Sequence, residues 1–540
     1  MKKWINRSSG MTLEEIVRKN LGIENLSILN EWESESLPII GFEKAKVLIL
    51  NHVRRGLPIT VVGDYDVDGV MATFIMRHML KKLGADVRVR IPHRFSEGYG
   101  LNESIIDEIS EGLLITVDNG ISAYEAVEKA RNKGLSVIIT DHHLPTGKIP
   151  NANVVIDPNA LTCCRFTGYC GAGIAYKLAS YVLDDEDAKR IYKISAAIAT
   201  IADVVPLKEE NRGIVKAGLK DAVEYSYLLP KGFYSLLNKL YFLDHIDEGD
   251  VGYKLAPCIN ASGRLYDDGG EIVLSAISGN YEDAIDQIIE ANEKRKSLTS
   301  GLVEKAEEVI RENGMENDYP LLICIPNAPL GIVGLAAASI AEKYQRPAFV
   351  LGDAGNGIFK GSGRSYGSKD LKALLDASAK LLAGYGGHAS AAGLSVAEEN
   401  IEALRASLKS NYGEIEKLDE NVYFDYVARE DSFKSILDEL EIYAPFGEGN
   451  PDPIFYIPNF VIQPDMGMNY RIMGKEKNVI KFKGVNSDAI GFSETIQKYM
   501  DLGYPKAISI VGKLKYNYFK GNKRPQIEII DICPAGKEVI

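Results

Sequence analysis

The feature that most limits the fold is a series of short apolar runs, several ending on an acid, that alternate with helical stretches from residue 59 onward. Ile59-Thr-Val-Val is the first run, and a helical stretch over Val70 to Leu83 follows it. Val87 to Ile91 and Leu113-Leu-Ile-Thr-Val read as further strands, and a helix near Ala123 to Lys133 precedes the strand Val137-Ile-Ile-Thr. Runs this short cannot be helices. Their alternation with helices of ten or more residues is the pattern of a parallel sheet covered on both faces. In such a sheet ligands bind beyond the carboxyl ends of the strands, so chemistry is expected just past each run.

Three motifs occupy that position. Val61-Val-Gly-Asp64-Tyr-Asp66-Val-Asp68-Gly69 sets three carboxylates at alternate positions, with a glycine opening the next helix. Ile115-Thr-Val-Asp118-Asn119-Gly120 is the second, and Ile138-Ile-Thr-Asp141-His142-His143 the third. Any one of them could be a helix cap or, for the histidines, a hydrogen-bonded turn. Three at equivalent strand ends argue for a common site. Asp203, after Ile198-Ala-Thr-Ile-Ala, adds a fourth acidic position. Carboxylates this close repel one another unless a cation neutralises them. A ligand set of Asp and His without Cys suits Mn²⁺ or Mg²⁺ better than a structural zinc. Several carboxylates suggest two ions, as in enzymes that cleave phosphodiesters. Other nucleotide-site signatures are absent: no GxxxxGK[ST], no strand–GxGxxG–helix, and no serine hydrolase or kinase motif.

Further along, Ile191 to Asp203 is alanine-rich and helical, and Tyr281 to Asn313 spaces its apolar residues as a long amphipathic helix fit to connect domains. A second α/β region runs from about Tyr319 to Leu408. Beyond it, short runs such as Ala507-Ile-Ser-Ile-Val and Gln526-Ile-Glu-Ile-Ile, broken by Gly, Pro and Asn, suggest a small β-barrel near 420–540. Residues 1–45 read as a partly helical lead-in without identifiable chemistry. The length of 540 residues fits three or four domains.

The net charge of −13 argues against a nucleic-acid binder until its distribution is followed. Tyr470 to Arg524 holds 12 Lys and Arg against 4 Asp and Glu, a local +8, which leaves 50 against 71, or −21, for the remainder. Lys513, Lys515, Lys520, Lys523 and Arg524 are interleaved with Tyr516, Tyr518 and Phe519, a pattern that can track a backbone and stack on bases. Alternation along a strand would instead send some of those rings into the barrel core. Met1 to Gly10 is polar and does not read as a signal peptide. The apolar stretch Leu321 to Ala341 is broken by Pro326, Asn327 and Pro329, so no membrane association is expected. Six cysteines without a CxxC pair point to a reducing, cytoplasmic setting; Cys163, Cys164 and Cys170 lack zinc-finger spacing.

Taken in order, Asp64 to Gly69, Asp118-Asn-Gly, Asp141-His-His and Asp203 in Ile-Ala-Asp-Val-Val-Pro-Leu resemble the four motifs of the DHH phosphoesterase superfamily. Gly386-Gly387-His388-Ala389 and Lys360-Gly-Ser-Gly-Arg364-Ser resemble the signatures of its associated domain. Within the superfamily the chain is most similar to the RecJ family, through Pro92-His-Arg-Phe-Ser-Glu-Gly-Tyr-Gly, Asn260-Ala-Ser-Gly-Arg264 and Ala444-Pro-Phe-Gly-Glu-Gly-Asn-Pro-Asp-Pro. The resemblance covers roughly residues 46–540. It implies a DHH catalytic domain over 46–250, a connector with a long helix over 251–318, a DHH-associated domain over 319–412 and an OB-type barrel over 420–540.

That resemblance also implies hydrolysis of single-stranded DNA from the 5′ end, in repair and recombination, with two Mn²⁺ or Mg²⁺ ions. The metal set becomes Asp64, Asp66, Asp68, Asp118, His142 and Asp203. Asp118 would bridge the ions, His143 would face the scissile phosphate and Asp141 would support the turn. Arg94, Arg264, Ser362, Arg364 and His388 become contacts to DNA phosphates, joined on the barrel by Lys515, Tyr518, Lys520 and Lys523. A single-strand-binding protein or a helicase is the kind of protein partner such an enzyme would meet. Ala328-Pro329-Leu330 departs from the family, whose members often carry a Trp or His before Gly331-Ile-Val-Gly; one substrate-side contact is therefore not carried over. Two other functions remain open. A hydrolase of short oligonucleotides or nucleotide phosphates would not need the barrel, and an inactive single-strand-binding scaffold would be expected to have lost the acids and histidines found here.

Overall fold

The computed structural model describes residues 2–34, 38–161, 164–279, 282–413, 419–464, 468–474, 477–519 and 522–536. The architecture is α/β: a parallel-sheet domain, a long helix, a second α/β domain and a C-terminal OB-type barrel. The first sheet has five strands in the spatial order Val87–Arg90, Ile59–Val62, Leu113–Val117, Ser136–Thr140, Val154–Ile156. All four pairings are parallel. The order of the strands reverses between Ile59–Val62 and Leu113–Val117, which places a crevice at their carboxyl ends. The fifth strand was not read from the sequence, because three residues are too few to show a period.

Asp66 caps the helix Val67–Lys82, its side chain accepting from the Gly69 N–H. The first ten residues of that helix are all buried, as expected of a helix that is apolar all round. It lies between the sheet and the helices Gly171–Val182 and Glu186–Ala202. The acid-bearing turn before it is therefore held by a core element.

The helix Glu282–Glu312 has 31 residues, a span of about 46 Å at the α-helical rise. Ile285 and Ile288 near its start belong to the core of the first domain, whereas Leu302, Ala306 and Ile310 belong to that of the second. The second sheet runs Leu382–Gly387, Ala391–Ala397, Ile358–Arg364, Ala348–Asp353, Leu321–Cys324. Only its last pair is parallel.

In the barrel the strands Ile454–Val461, Ala507–Phe519, Asn522–Pro534, Asp488–Phe492 and Val479–Lys483 follow one another. A bridge from Gln463 to Lys483 closes the ring. Within residues 1–45, read as a lead-in, the first strand and first helix are tied into this part of the chain, whereas Ile39, Phe42 and Ala45 join the core of the first domain. The strand Trp4–Asn6 pairs in parallel with Val422–Phe424, and Trp4 Nε1 donates to Asp531 Oδ2 at 2.9 Å. Thr12 and Glu15 form a reciprocal cap on the helix Leu13–Leu21, which buries Leu13, Val17 and Leu21 with Phe433, Leu437 and Leu440 of the barrel core. Residues 443–448 clasp the first domain. The Leu207 N–H donates to Glu448 O, the Phe446 N–H to Glu248 Oε1, and Arg212 Nη1 to Tyr443 O, at 2.8, 2.7 and 2.7 Å. Among the described residues no helix is long and apolar enough to cross a membrane.

Candidate active site

The acids predicted from the strand ends converge at the crevice. Ligand atoms of Asp64, Asp66 and Asp118 lie within 4.8 Å of one another, and so do those of Asp68, His142 and Asp203. His142 Nε2 joins the two groups, 3.0 Å from Asp118 Oδ1, 3.7 Å from Asp68 Oδ2 and 3.8 Å from Asp203 Oδ2. Local backbone sets each acid. Asp118 follows its strand in the left-handed region (φ 59°), with its N–H donating to Thr140 O. A non-glycine residue held there is strained and points to a site that needs it. Asp68 lies at the start of the helix Gly171–Val182, where the N–H groups of Gly171 and Ala172 donate to its two oxygens at 2.6 and 2.7 Å.

The electrostatics call for a cation. Burial, with Asp66 beside it, pushes the Asp64 carboxyl well above its usual range. Burial and the neighbouring Asp68 and Asp66 do the same to Asp118. Burial, then Asp68, raises Asp203 to about 8, and Asp66 also moves up. Asp64 Oδ1 is buried without a hydrogen-bond partner, and Asp118 Oδ1, also buried, has only the His142 ring nitrogen near it and no well-directed hydrogen bond. Unpartnered buried oxygens among mutually repelling carboxylates are what divalent ions would satisfy. The residues present fit two such ions.

Asp141 has a different task. Its oxygens accept from the N–H groups of Ile121, His142 and His143 and from His143 Nδ1 at 2.8 Å. Burial would raise its pKa, but the hydrogen bond and charge of His143 hold it below the usual value. Burial works against a charge on His143 as well, yet Asp141 raises it to about 9. His142, more deeply buried, is pushed down. The adjacent rings, 4.4 Å apart, thus differ in charge.

Beside the acids stands a group of arginines. Burial and the nearby Arg94, Arg295 and Arg364 lower the Arg264 pKa to about 10. Arg364 Nη1 donates to Ser362 Oγ at 2.7 Å, and the Arg94 guanidinium lies 4.8 Å from the Tyr65 ring centroid. A β-carbon on Gly331 would collide with the Arg264 carbonyl oxygen, so the two domains meet here through a glycine. Predicted Arg94, Arg264, Ser362 and Arg364 are therefore brought together. His388 is exposed in the hairpin beyond them, its N–H donating to Ala391 O, with Ala391 opposite Arg364.

The barrel residues named from sequence have other partners. Lys515 pairs with Glu528 at 2.8 Å and Lys523 with Glu441 at 2.6 Å. The Tyr518 ring stacks on His245 of the first domain, 3.5 Å between centroids, so that face is not offered to a base. Lys520, like Cys163, lies outside the described residues.

Other residues were missed. Asn119 donates to Val62 O and Val117 O and accepts from the Leu101 N–H, stitching the two strands at the crevice. Tyr99 donates to Asp118 O at 3.0 Å and lies 3.3 Å from His143 Nε2. Asn159 Nδ2 donates to His142 O at 2.5 Å, and Asp157, at the end of the unread fifth strand, holds that turn through the Asn159 N–H. Arg295 comes from the long helix. Asp157 follows an apolar run as the other acids do, and that signal could have found it.

Known proteins resemble this chain over most of its length. Residues 58–203 match the model of the DHH family N-terminal domain, 318–414 that of the DHHA1 domain, and 426–531 that of the RecJ OB domain. The single-stranded-DNA-specific exonuclease RecJ of Bacillus subtilis is 32% identical over 91% of this chain, which spans 63% of that protein's length. The protein of the same description from Escherichia coli is 30% identical, over 92% of this chain and 90% of its own length. The crystal structure of RecJ in complex with Mn²⁺ from Thermus thermophilus superposes with a TM-score of 0.77 at 25% identity, over 99% of this chain and 80% of that one. A second structure, of exonuclease RecJ bound to manganese, gives 0.60 at 30% identity, over 70% of this chain and 96% of that one.

Proposed function

The chain belongs to the RecJ family of DHH phosphoesterases, and from that premise we propose that it is a metal-dependent exonuclease that hydrolyses single-stranded DNA from the 5′ end. The observation that carries the reading is the meeting of a buried, unneutralised acid cluster with an arginine group across one domain junction. The acids bind cations and the arginines bind phosphates, and a phosphodiester needs both.

Bound at the two acid groups, divalent ions supply Lewis acidity that draws charge from the phosphate and acidifies water. The chain's own residues do the rest. Asp64, Asp66 and Asp118 would hold one ion, and Asp68, His142 and Asp203 the other, with Asp118, 3.0 Å from His142, able to serve both. His143, kept charged by Asp141, presents a proton donor to a phosphate oxygen at the mouth of the cluster. Arg94, Arg264, Ser362 and Arg364 hold the terminal phosphate, and His388 reaches toward the strand from the hairpin. A planar guanidinium binds phosphate oxygens two at a time.

The domain limits that go with this reading are 46–250, 251–318, 319–412 and 420–540. The enzyme acts in the cytoplasm in repair and recombination, beside a single-strand-binding protein or a helicase. The test is digestion of one strand labelled separately at each end, with Mn²⁺, Mg²⁺ or chelator. Early release of the 5′ label, only with metal and only from single strands, is expected. Early release of the 3′ label, or equal rates on blunt duplex, would refute the reading.

A further inference from the structure

We infer that Asn211 is a positioning residue for Asp203, and that Arg212 beside it ties the same segment to the barrel, so that the seating of the barrel sets how tightly the acid cluster holds divalent ions. The inference deepens the nuclease reading and rests on its assignment of Asp203 to the metal.

Asp203 is held differently from the acids beside it. Asp66 accepts from the Gly69 N–H, and Asp68 from the N–H groups of Gly171 and Ala172. Among the described residues no hydrogen bond holds the Asp203 carboxylate. Its place therefore depends on the backbone that follows it. Val204, the next residue, lies in the left-handed region (φ 56°). A β-branched residue is an outlier there and is kept so only by its surroundings.

Asn211 supplies the constraint. It is fully buried, and its Nδ2 donates to Pro206 O at 3.0 Å and to Gly168 O at 2.6 Å. Both neighbours are carbonyls, so the nitrogen of the amide must face them. Pro206 lies in the loop that begins at Asp203. Gly168 leads into Gly171, whose N–H seats Asp68. One side chain thus joins the two turns that carry Asp203 and support Asp68.

The next residue turns to the barrel. Arg212 is also fully buried, and its Nη1 and Nη2 donate to Tyr443 O at 2.7 Å and Ile442 O at 3.1 Å, the last carbonyls of the helix Phe433–Tyr443. A cation suits that end of a helix. The Leu207 N–H donates to Glu448 O, and two barrel glycines close on the same segment. A β-carbon on Gly447 would lie 2.9 Å from Leu207 Cδ1, and one on Gly449 3.3 Å from Pro206 Cβ. The stretch 203–212 therefore begins in the acid cluster and ends against the barrel, with little room to slip. A shift of the barrel on the first domain displaces Pro206 and Asn211, and Asp203 with them.

The test is calorimetric Mn²⁺ titration of the full chain and its variants. Asn211→Ala should lower Mn²⁺ affinity about tenfold or more, the usual cost of losing a ligand's support. In an Asp203→Asn background the same change should cost about twofold at most, because it acts through Asp203. Arg212→Met should lower affinity about tenfold, and Arg212→Lys, which keeps a donor for the helix end, should recover most of it. Equal losses from Asn211→Ala with and without Asp203 would mean that Asn211 only holds the fold, and would overturn the inference. Coupling is reciprocal, so the wild-type chain gives a readout that no variant's folding can obscure. Mn²⁺ should slow hydrogen exchange over residues 443–448 more than over the barrel strand Val479–Lys483. Exchange over 443–448 untouched by Mn²⁺ would also overturn it. If wild-type chain bound Mn²⁺ but never cut DNA, the nuclease reading would fail while the affinities and exchange rates still judged the inference.

Discussion

Gly171 lies so close to Asp118 that a β-carbon on it would fall 2.5 Å from the Asp118 Cβ, and its N–H donates to Asp68 at 2.6 Å. A single glycine therefore seats two acids, one just past a strand and one in the first turn of a helix. Gly171→Ala should push Asp118 aside and lower Mn²⁺ affinity and turnover tenfold or more, the usual cost of disturbing a ligand's support. Gly173→Ala, whose added carbon would meet neighbours at no less than 3.6 Å, should stay near wild type. Calorimetric Mn²⁺ titration of both variants checks this.

Removing a ligand should be far worse. Asp66→Ala or Asp118→Ala should retain the fold but lose on the order of a thousandfold in rate, as expected when several kcal/mol of transition-state stabilisation go. Full activity in excess chelator would show that the acid cluster is not the reaction centre.

The metal-free protein should also be destabilised by base. Burial, then Asp68, raises Asp203 to about 8 in the folded state, against about 3.9 for an ordinary Asp. A raised folded pKa gives stability that is full below the unfolded value and lost as pH rises through the folded one. The melting temperature without metal should therefore fall from about pH 4 to about pH 8. Mn²⁺ should restore it, and Asp203→Asn should flatten the profile.

The two histidines should separate in function. His143 is held charged by Asp141, with a folded pKa of about 9, whereas His142 sits among the acids 3.0 Å from Asp118. His142→Ala should lower metal affinity, and His143→Ala should lower turnover with little change in metal binding. With His143 charged, activity should decline as pH rises through about 9, and that decline should vanish in His143→Asn. Equal metal loss in the two alanine variants would refute this division.

The arginine group predicts how an end is chosen. Arg264→Ala and Arg364→Ala should each weaken binding of a 5′-phosphorylated strand about tenfold, the scale of one charged hydrogen bond, and a 5′-hydroxyl strand less. Their effects should be non-additive, because the charge of Arg364 lowers the pKa of Arg264 beside it. Paired affinity measurements on the two strand types provide the check.

The acid cluster was legible because strand ends are. Asp64, Asp118 and Asp141 each follow a run whose period and length announce a buried strand, and the crevice position follows from topology. Arg295 was not legible: on a long amphipathic helix it reads as a solvated charge, and only the approach of Arg264 gives it a role. The basic stretch near the C-terminus showed that cations were present but not where they faced. Lys515 and Lys481 look alike in sequence, and only the pairing of strands sets one against Glu528 and the other beside a cleft. The partnership of Trp4 with Val422 and Asp531 spans most of the chain, beyond any local pattern.

That first strand has a consequence for synthesis. The ribosome makes Trp4 some 418 residues before Val422. At about 5–20 residues per second the delay is roughly 20–80 s. Through that interval the DHH sheet can close on itself, while Trp4, Leu13, Val17 and Leu21 wait outside without the surface that buries them. The barrel is thus completed by segments made far apart in time, and the nascent chain carries an unburied apolar segment that a chaperone would meet before the barrel strands emerge.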